Sequence, residues 1–140
     1  MKHSIAVLLL VAGLAVAACG GESKQDKAST KVCDARADIK KQVDELRGLT
    51  ITTATVDGVT ANVQAIRTDL GKIADAQGDL NDERKKQVQS ANEAFKAQMT
   101  SLVASVGKSL SLKDAGSQLQ TALTQLSDSY QKTLGKIDCS

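Results

Sequence analysis

The sequence predicts an all-α protein, an antiparallel up-down-up-down four-helix bundle closed by a disulfide between Cys33 and Cys139. Three observations favour this fold. Apolar residues recur at helical spacing almost throughout the chain. Proline is absent, and the only aromatic residues are Phe95 and Tyr130, which disfavours a sandwich or barrel because strands need bulky side chains and turn formers. Two cysteines also bracket the helical region.

Four amphipathic segments carry the helical spacing, mostly in steps of three or four residues. Their apolar positions are Val32, Ala35, Ile39, Val43 and Leu46 in the first; Val59, Val63, Ile66, Leu70 and Ile73 in the second; Leu80, Val88, Ala91, Phe95, Met99, Leu102 and Val106 in the third; and Leu112, Ala115, Leu119, Ala122, Leu126, Tyr130, Thr133 and Ile137 in the fourth. Narrow stripes with a repeat near 3.5 residues are typical of antiparallel bundles.

Capping residues and glycines predict where these helices begin and end. The expected signals are Ser29 or Thr30 and then Gly48 for the first helix, Gly78 for the end of the second, Asp79 or Asn81 and then Gly107 for the third, and Ser111 with Asp114 for the start of the fourth. Between the first two helices, the Thr-rich segment Leu49–Val56 predicts a loop, because a lone strand would have no partner. Its threonines, within residues 50–55, are either O-glycosylated or simply solvated.

The cysteines provide a test of the helix count. With an even number of antiparallel helices, the first begins at the end of the bundle where the last finishes, so Cys33 and Cys139 lie side by side. An odd number would separate them by a helix length, which no disulfide can span. A bridge that closes a loop of about 100 residues contributes roughly 4–5 kcal/mol. Two free thiols, a redox pair or a metal site are the alternatives, although redox pairs usually stand as CxxC and a metal needs further ligands.

The beginning of the chain has the features of an export signal. A short cationic start precedes the apolar run from Ile5 to Ala18. This run is shorter than the roughly 20 residues of a membrane-spanning helix, and it ends in small residues before the expected cleavage point. We therefore expect residues 1–18 to be removed as a signal peptide.

The sequence Val16-Ala17-Ala18-Cys19 resembles the bacterial lipobox, in which an aliphatic residue and two small residues precede a cysteine. The resemblance implies that Cys19 receives a diacylglyceryl group and becomes the first residue of a lipoprotein. Two acyl chains anchor a protein stably to a membrane. An ordinary signal peptide with an incidental cysteine is the alternative. The protein is expected outside the cytoplasm, on the outer face of the cell membrane or at the outer membrane.

The residues that follow the lipobox are almost entirely polar, and residues 19–30 are expected to form the lipidated cysteine and a flexible tether. The helical domain is then expected over residues 31–140. Loss of Lys2 with the signal leaves 17 Lys and Arg against 16 Asp and Glu. This near balance of charge provides no electrostatic field that would attract nucleic acid, so nucleic acid is not expected as a partner.

The residues give little support to catalysis. The only histidine, His3, lies in the signal, so neither a Ser-His nor a Cys-His pair is possible in the mature chain. Carboxylates such as Asp34 and Asp38 are interpreted as solvated helix charges, as is the basic run Arg84–Lys86. No catalytic residue, cofactor or metal ligand is predicted, and the protein is not expected to be an enzyme.

Taken whole, the chain resembles the small secreted helical lipoproteins of actinobacteria, many of which have no assigned role. The leading hypothesis is a membrane-anchored, non-enzymatic helical module that binds a protein partner in the cell envelope. One alternative is a carrier that holds a lipid or another apolar small molecule in the bundle core. A second is a structural envelope protein without a small ligand.

Overall fold

The computed structural model describes residues 21, 23–49, 56–109 and 115–140, and every regular element within these ranges is helical. There are four α-helices: α1 (Lys24–Arg47), α2 (Val56–Ala76), α3 (Asp82–Ser109) and α4 (Ala115–Lys132). A 3₁₀ turn follows α2 at Gln77–Asp79, and another follows α4 at Leu134–Lys136. The predicted all-α class with four helices is confirmed.

Helix α1 begins earlier than expected. The side chain of Ser23 accepts a hydrogen bond from the backbone N–H of Asp26 (3.1 Å), and the backbone N–H of Ser23 donates to the Asp26 carboxylate (3.3 Å). This reciprocal capping box satisfies two donors that the first turn leaves open. Ala28, one turn before Val32, is also buried. The predicted domain start at residue 31, the flexible character of residues 24–30 and the caps at Ser29 or Thr30 are therefore wrong.

The helices share one core. Helix α1 packs against α2 and α4, and α3 packs against the same two helices. Every predicted apolar position of the first two stripes is buried, as are those of the third except Val106, which is partly buried. Along the fourth, Leu126, Tyr130 and Ile137 are buried, and Leu123 and Leu134, which the predicted stripe lacks, are buried with them.

The remaining helix ends are partly as expected. Gly48 caps the end of α1, and the side-chain oxygen of Asn81 accepts a hydrogen bond from the backbone N–H of Arg84 (2.9 Å) at the start of α3. Gly107 does not stop α3, which continues to Ser109 because glycine lowers helix stability without forbidding the helical conformation. Leu112 and the predicted caps Ser111 and Asp114 lie outside the described residues, as do residues 50–55 of the predicted loop.

Candidate functional site

The predicted lipidation site, Cys19, lies outside the described residues, as do the lipobox and the signal. The structure does describe where the folded domain begins. Lys24, the first residue of α1, is five positions after Cys19. A chain of five residues spans at most about 18 Å when fully extended. The helical domain therefore starts within this distance of the residue expected to carry the acyl chains.

The two other cysteines form a disulfide, as predicted. Cys33 lies in the third turn of α1 and Cys139 lies beside the last residue of the chain, with their Cα atoms 5.7 Å apart. The bond joins residues 106 positions apart and ties the C-terminal segment to α1. Both sulfurs are bonded to each other, so neither is a free thiol. Among the described residues, no cluster of three or more His, Cys, Asp or Glu side chains is arranged to hold a metal ion.

Two arginines reinforce this attachment. The Arg36 guanidinium, on α1, donates a hydrogen bond to the backbone carbonyl of Ile137, and the Arg84 guanidinium, on α3, donates to the carbonyl of Asp138. We call these four residues and the disulfide the C-terminal clasp. Since Arg84 is partly buried and bonded, it belongs to the clasp, whereas Lys85 and Lys86 of the same basic run are exposed. The expectation of a wholly solvated basic run is therefore wrong at Arg84.

An aromatic pair lies in the core under the clasp. Phe95 is fully buried and Tyr130 is 3% exposed, and their rings meet edge to face with centroids 6.0 Å apart. This geometry is favourable for aromatic rings. Burial raises the pKa of the Tyr130 phenol above its usual value, although the positive charges of Arg36 and Lys40 partly oppose the shift. Both rings are core residues, as the sequence predicts.

Two buried polar side chains that link helices were missed by the sequence reasoning. Asp69 on α2 is 3% exposed, and its carboxylate accepts hydrogen bonds from Gln42 Nε2 on α1 (3.0 Å) and from Lys72 Nζ (2.7 Å). Asn92 on α3 is 8% exposed and donates from Nδ2 to the carbonyl of Leu70 (3.4 Å). Each side chain links neighbouring helices by a polar contact. Asp69 follows Ile66 by three residues, which places it at the edge of the apolar stripe. This position is the feature of the sequence that could have indicated its burial.

Two of the surface grooves between helices contain charged residues. The first, about 570 Å³, lies between α1 and α2 and contains both signs of charge. Its charged lining residues are Lys24, Lys27, Lys31, Asp34, Asp38, Lys72, Asp75 and Asp79. The second, about 350 Å³, lies between α2 and α3, and its charged lining residues are the cations Arg67 and Lys96. The predicted solvated carboxylates Asp34 and Asp38 therefore line a groove and are exposed.

In the part of the chain that the structure describes, no helix has the length and apolarity needed to cross a bilayer. The sequence matches no protein-family model, and no curated protein or solved structure is significantly similar to it.

Proposed function

We propose that the mature chain is a lipid-anchored, non-enzymatic helical module that binds a protein partner in the cell envelope. The observation that carries this proposal is the short distance between the expected acylation site and the fold. The capping box at Ser23 starts α1 five positions after Cys19, so an acylated Cys19 would hold the bundle directly at the membrane surface. A partner would then meet a helical bundle whose first turn stays within about 18 Å of the acylated cysteine, and not a domain on a long tether.

We also propose that the helices run up, down, up and down. Three contacts support this topology. The disulfide joins the early part of α1 to the end of the chain. Gln42, late in α1, meets Asp69 of α2, while earlier α1 residues share a groove with later α2 residues. Arg84, at the start of α3, meets the C-terminal segment. Such a bundle places the first turn of α1 and the C terminus at the end nearest the anchor.

The non-enzymatic role is supported by how the reactive groups are used. Cys33 and Cys139 are bonded to each other, and the buried carboxylate of Asp69 is bonded to a glutamine and a lysine. The only histidine of the sequence, His3, belongs to the expected signal. General acid–base and nucleophilic catalysis need a group that is poised to transfer a proton or attack a substrate. The two cysteines and Asp69 instead hold the fold together.

The anchor is tested by metabolic labelling with an alkyne fatty acid in a bacterium that processes lipoproteins. The wild-type chain is expected to incorporate the label and to fractionate with membranes, whereas Cys19→Ser should do neither. Cys33→Ser is a matched control, because it removes a cysteine that we expect to be unacylated. Label that persists in Cys19→Ser would contradict the proposed anchor.

The partner is tested by crosslinking in living cells followed by purification of the tagged chain. We expect a protein that is enriched with the wild-type chain and reduced with Cys19→Ser, since the variant leaves the membrane. Equal recovery of all proteins from both strains would contradict partner binding at the membrane. That result would favour the alternative of a structural envelope protein.

The carrier alternative requires space in the bundle core. The described interior is filled by large side chains from all four helices, including Ile39, Ile66, Phe95 and Leu126, and the two grooves described above open at the surface. A ligand in the core would have to displace these residues. Native mass spectrometry of the delipidated chain tests this alternative, which predicts a bound lipid that survives purification.

A further inference from the structure

The groove between α2 and α3 has a buried floor and open walls. Leu70, Asn92 and Met99 form the floor and are each less than one-tenth exposed. The exposed wall residues are Arg67, Gly71 and Ala74 on α2 and Lys96 and Thr100 on α3. Its volume of about 350 Å³ is within the range of small-molecule sites, which runs from roughly 300 to 1,000 Å³.

The charge of this groove has one sign. Arg67 and Lys96 stand on opposite walls, and none of the described residues that line the groove is a carboxylate. Among the described residues, the only ion pairs are Lys40 with Asp44 and Lys72 with Asp69, so neither groove cation is paired there. Two unpaired cations across a floor that includes the apolar side chains of Leu70 and Met99 favour a ligand with an acidic group and an apolar body.

Gly71 keeps the groove open. It lies inside α2, where glycine lowers helix stability relative to alanine. A glycine can be required in a helix when another chain approaches closely, but a Cβ atom at Gly71 would meet nothing within 4 Å. Packing therefore does not explain this glycine. Because Gly71 has no side chain, the α2 side of the groove stays open. A larger residue would project into the space that a ligand would occupy.

The floor also contains an unsatisfied polar atom. Asn92 Nδ2 donates to the Leu70 carbonyl, but Asn92 Oδ1 is buried and has no hydrogen-bond partner within the described ranges. Buried acceptors are nearly always paired. Because this oxygen is buried, the side chains around Asn92 would have to move apart before a hydroxyl group on a ligand could supply the missing donor.

We propose that the α2–α3 groove binds a small amphiphilic anion, such as a hydroxylated medium-chain carboxylic acid. Arg67 and Lys96 bind its acid group, Leu70 and Met99 contact its apolar chain, and Asn92 Oδ1 accepts a hydrogen bond from its hydroxyl. This function is additional to partner binding, and the binding itself does not require the anchor at Cys19. Only the choice of a free acid over a bilayer headgroup rests on the proposed anchor.

The position of the groove favours a free molecule over a lipid headgroup in the bilayer. Its first α3 residue, Asn92, is ten residues beyond Asp82, or about 15 Å along the helix axis. The start of α3 lies beside the C-terminal clasp, at the end of the bundle that is proposed to be nearest the membrane. A headgroup that stays in the bilayer would not reach this height, whereas a soluble acid would.

The test uses Met99 as a reporter, because the full chain contains only one other methionine, Met1. The chain is labelled at the methionine methyl groups with ¹³C, placed in phosphatidylcholine nanodiscs and titrated with 3-hydroxyoctanoate. We expect a saturable shift of the Met99 signal. The uncharged analogue octane-1,3-diol should bind at least about tenfold more weakly, because it lacks the acid group.

Variants test each wall of the groove. Gly71→Leu should abolish the shift while the circular dichroism spectrum is retained, and Ala61→Leu, at an exposed position of α2 outside the groove, should preserve it. Arg67→Gln and Lys96→Gln should each weaken binding roughly three- to fivefold, as expected for a partly exposed ion pair, while Lys41→Gln should not.

Three outcomes would overturn the proposal. The first is the absence of a saturable Met99 shift in the folded wild-type chain. The second is a shift that Gly71→Leu leaves unchanged, which would mean that the acid acts elsewhere. The third is a Met99 shift with nanodiscs containing phosphatidylglycerol but none with free 3-hydroxyoctanoate, which would assign the groove to a bilayer headgroup. None of these results bears on acylation of Cys19 or on the crosslinked partner.

Discussion

The phenol hydroxyl of Tyr130, on α4, donates a hydrogen bond to the backbone carbonyl of Arg36, on α1, at 3.1 Å. The same arginine donates from its guanidinium to the carbonyl of Ile137. Arg36 therefore contacts the C-terminal part of the chain through both its backbone and its side chain. These contacts lie one turn from Cys33, so polar and covalent links between α1 and the end of the chain are concentrated in one place.

Removing the Tyr130 hydroxyl should weaken this region moderately. Tyr130→Phe retains the ring and its edge-to-face contact with Phe95 but loses the hydrogen bond to Arg36. The free energy of unfolding at pH 7 is expected to fall by about 0.5–1.5 kcal/mol, the usual value of one such bond. Urea denaturation measures this loss. An unchanged midpoint would show that the hydroxyl is equally well solvated in the unfolded chain.

The same variant should alter the response to alkaline pH. Burial raises the pKa of Tyr130 in the folded state, so its neutral phenol favours folding. This contribution is complete below the unfolded pKa of about 10 and is lost as the pH rises through the higher folded pKa. The wild-type stability should therefore fall more steeply than that of Tyr130→Phe above about pH 10. Parallel pH profiles of the two proteins would contradict this expectation.

Loss of the disulfide should lower the free energy of unfolding far more than loss of the Tyr130 hydrogen bond. Cys33 and Cys139 close a loop of about 100 residues, and the chain-entropy model assigns such a crosslink about 4–5 kcal/mol. The double variant Cys33→Ser, Cys139→Ser should show this reduction in the free energy of unfolding, and reductant should have the same effect on the wild type. The double variant itself should not respond to reductant. Equal denaturation midpoints for the oxidised and reduced wild type would show that the bridge does not stabilise the fold.

The start of α1 depends on its capping box. Ser23→Ala removes the acceptor for the Asp26 N–H and should reduce stability by about 0.5–2 kcal/mol. Hydrogen exchange should accelerate mainly over the first turns of α1, up to about Ala28. Ser29→Ala is the matched control, because Ser29 was expected from sequence as a cap but lies inside the helix. Protection that is unchanged in Ser23→Ala would mean that packing alone holds this segment helical.

The capping box also shows where sequence reasoning succeeded and failed. Every apolar position predicted for the first two helices is buried, since a period of 3.6 residues fixes which side chains share a face, although Ala28 and Ala76 extend these stripes. Residues 24–30 were assigned to a tether because their composition is polar. Composition alone does not show that Ser23 and Asp26 can cap each other or that Ala28 lies one turn before Val32.

The polar parts of the interior were harder to predict for a different reason. Whether Asp69 is buried depends on how closely α1 approaches α2 and whether Gln42 lies opposite, and neither distance is present in the sequence of one helix. The same holds for Asn92, whose partner is a backbone carbonyl of α2. The groove between α2 and α3 likewise arises only when Gly71 and Lys96 are brought to facing walls. The pairing of Cys33 with Cys139 was predictable because these two cysteines remain once Cys19 is assigned to the anchor, and an even number of antiparallel helices would place them at the same end.

The buried carboxylate of Asp69 should be more important for stability than its lysine partner. Asp69→Ala leaves Gln42 with neither its amide nitrogen nor its oxygen paired, and the expected loss is about 1.5–3 kcal/mol. Lys72→Ala should lose less, because the Lys72 side chain is 56% exposed and water replaces its partner. Thermal denaturation of both variants provides the comparison. A larger loss for Lys72→Ala would indicate that the ion pair, and not the link to Gln42, is the dominant contact.

Two glycines should respond in opposite directions to the same substitution. Gly71→Ala adds a methyl group that meets open space inside a helix, so the free energy of unfolding should rise by about 0.5–1 kcal/mol. At Gly135, a Cβ atom would lie 3.1 Å from the backbone carbonyl oxygen of Tyr130, which cannot move without disturbing the buried ring. Gly135→Ala should therefore be destabilising. Chemical denaturation measures both variants. A stabilised Gly71→Ala beside a destabilised Gly135→Ala would show that the fold tolerates a side chain at Gly71. Stability would then not be the reason for the glycine at this position.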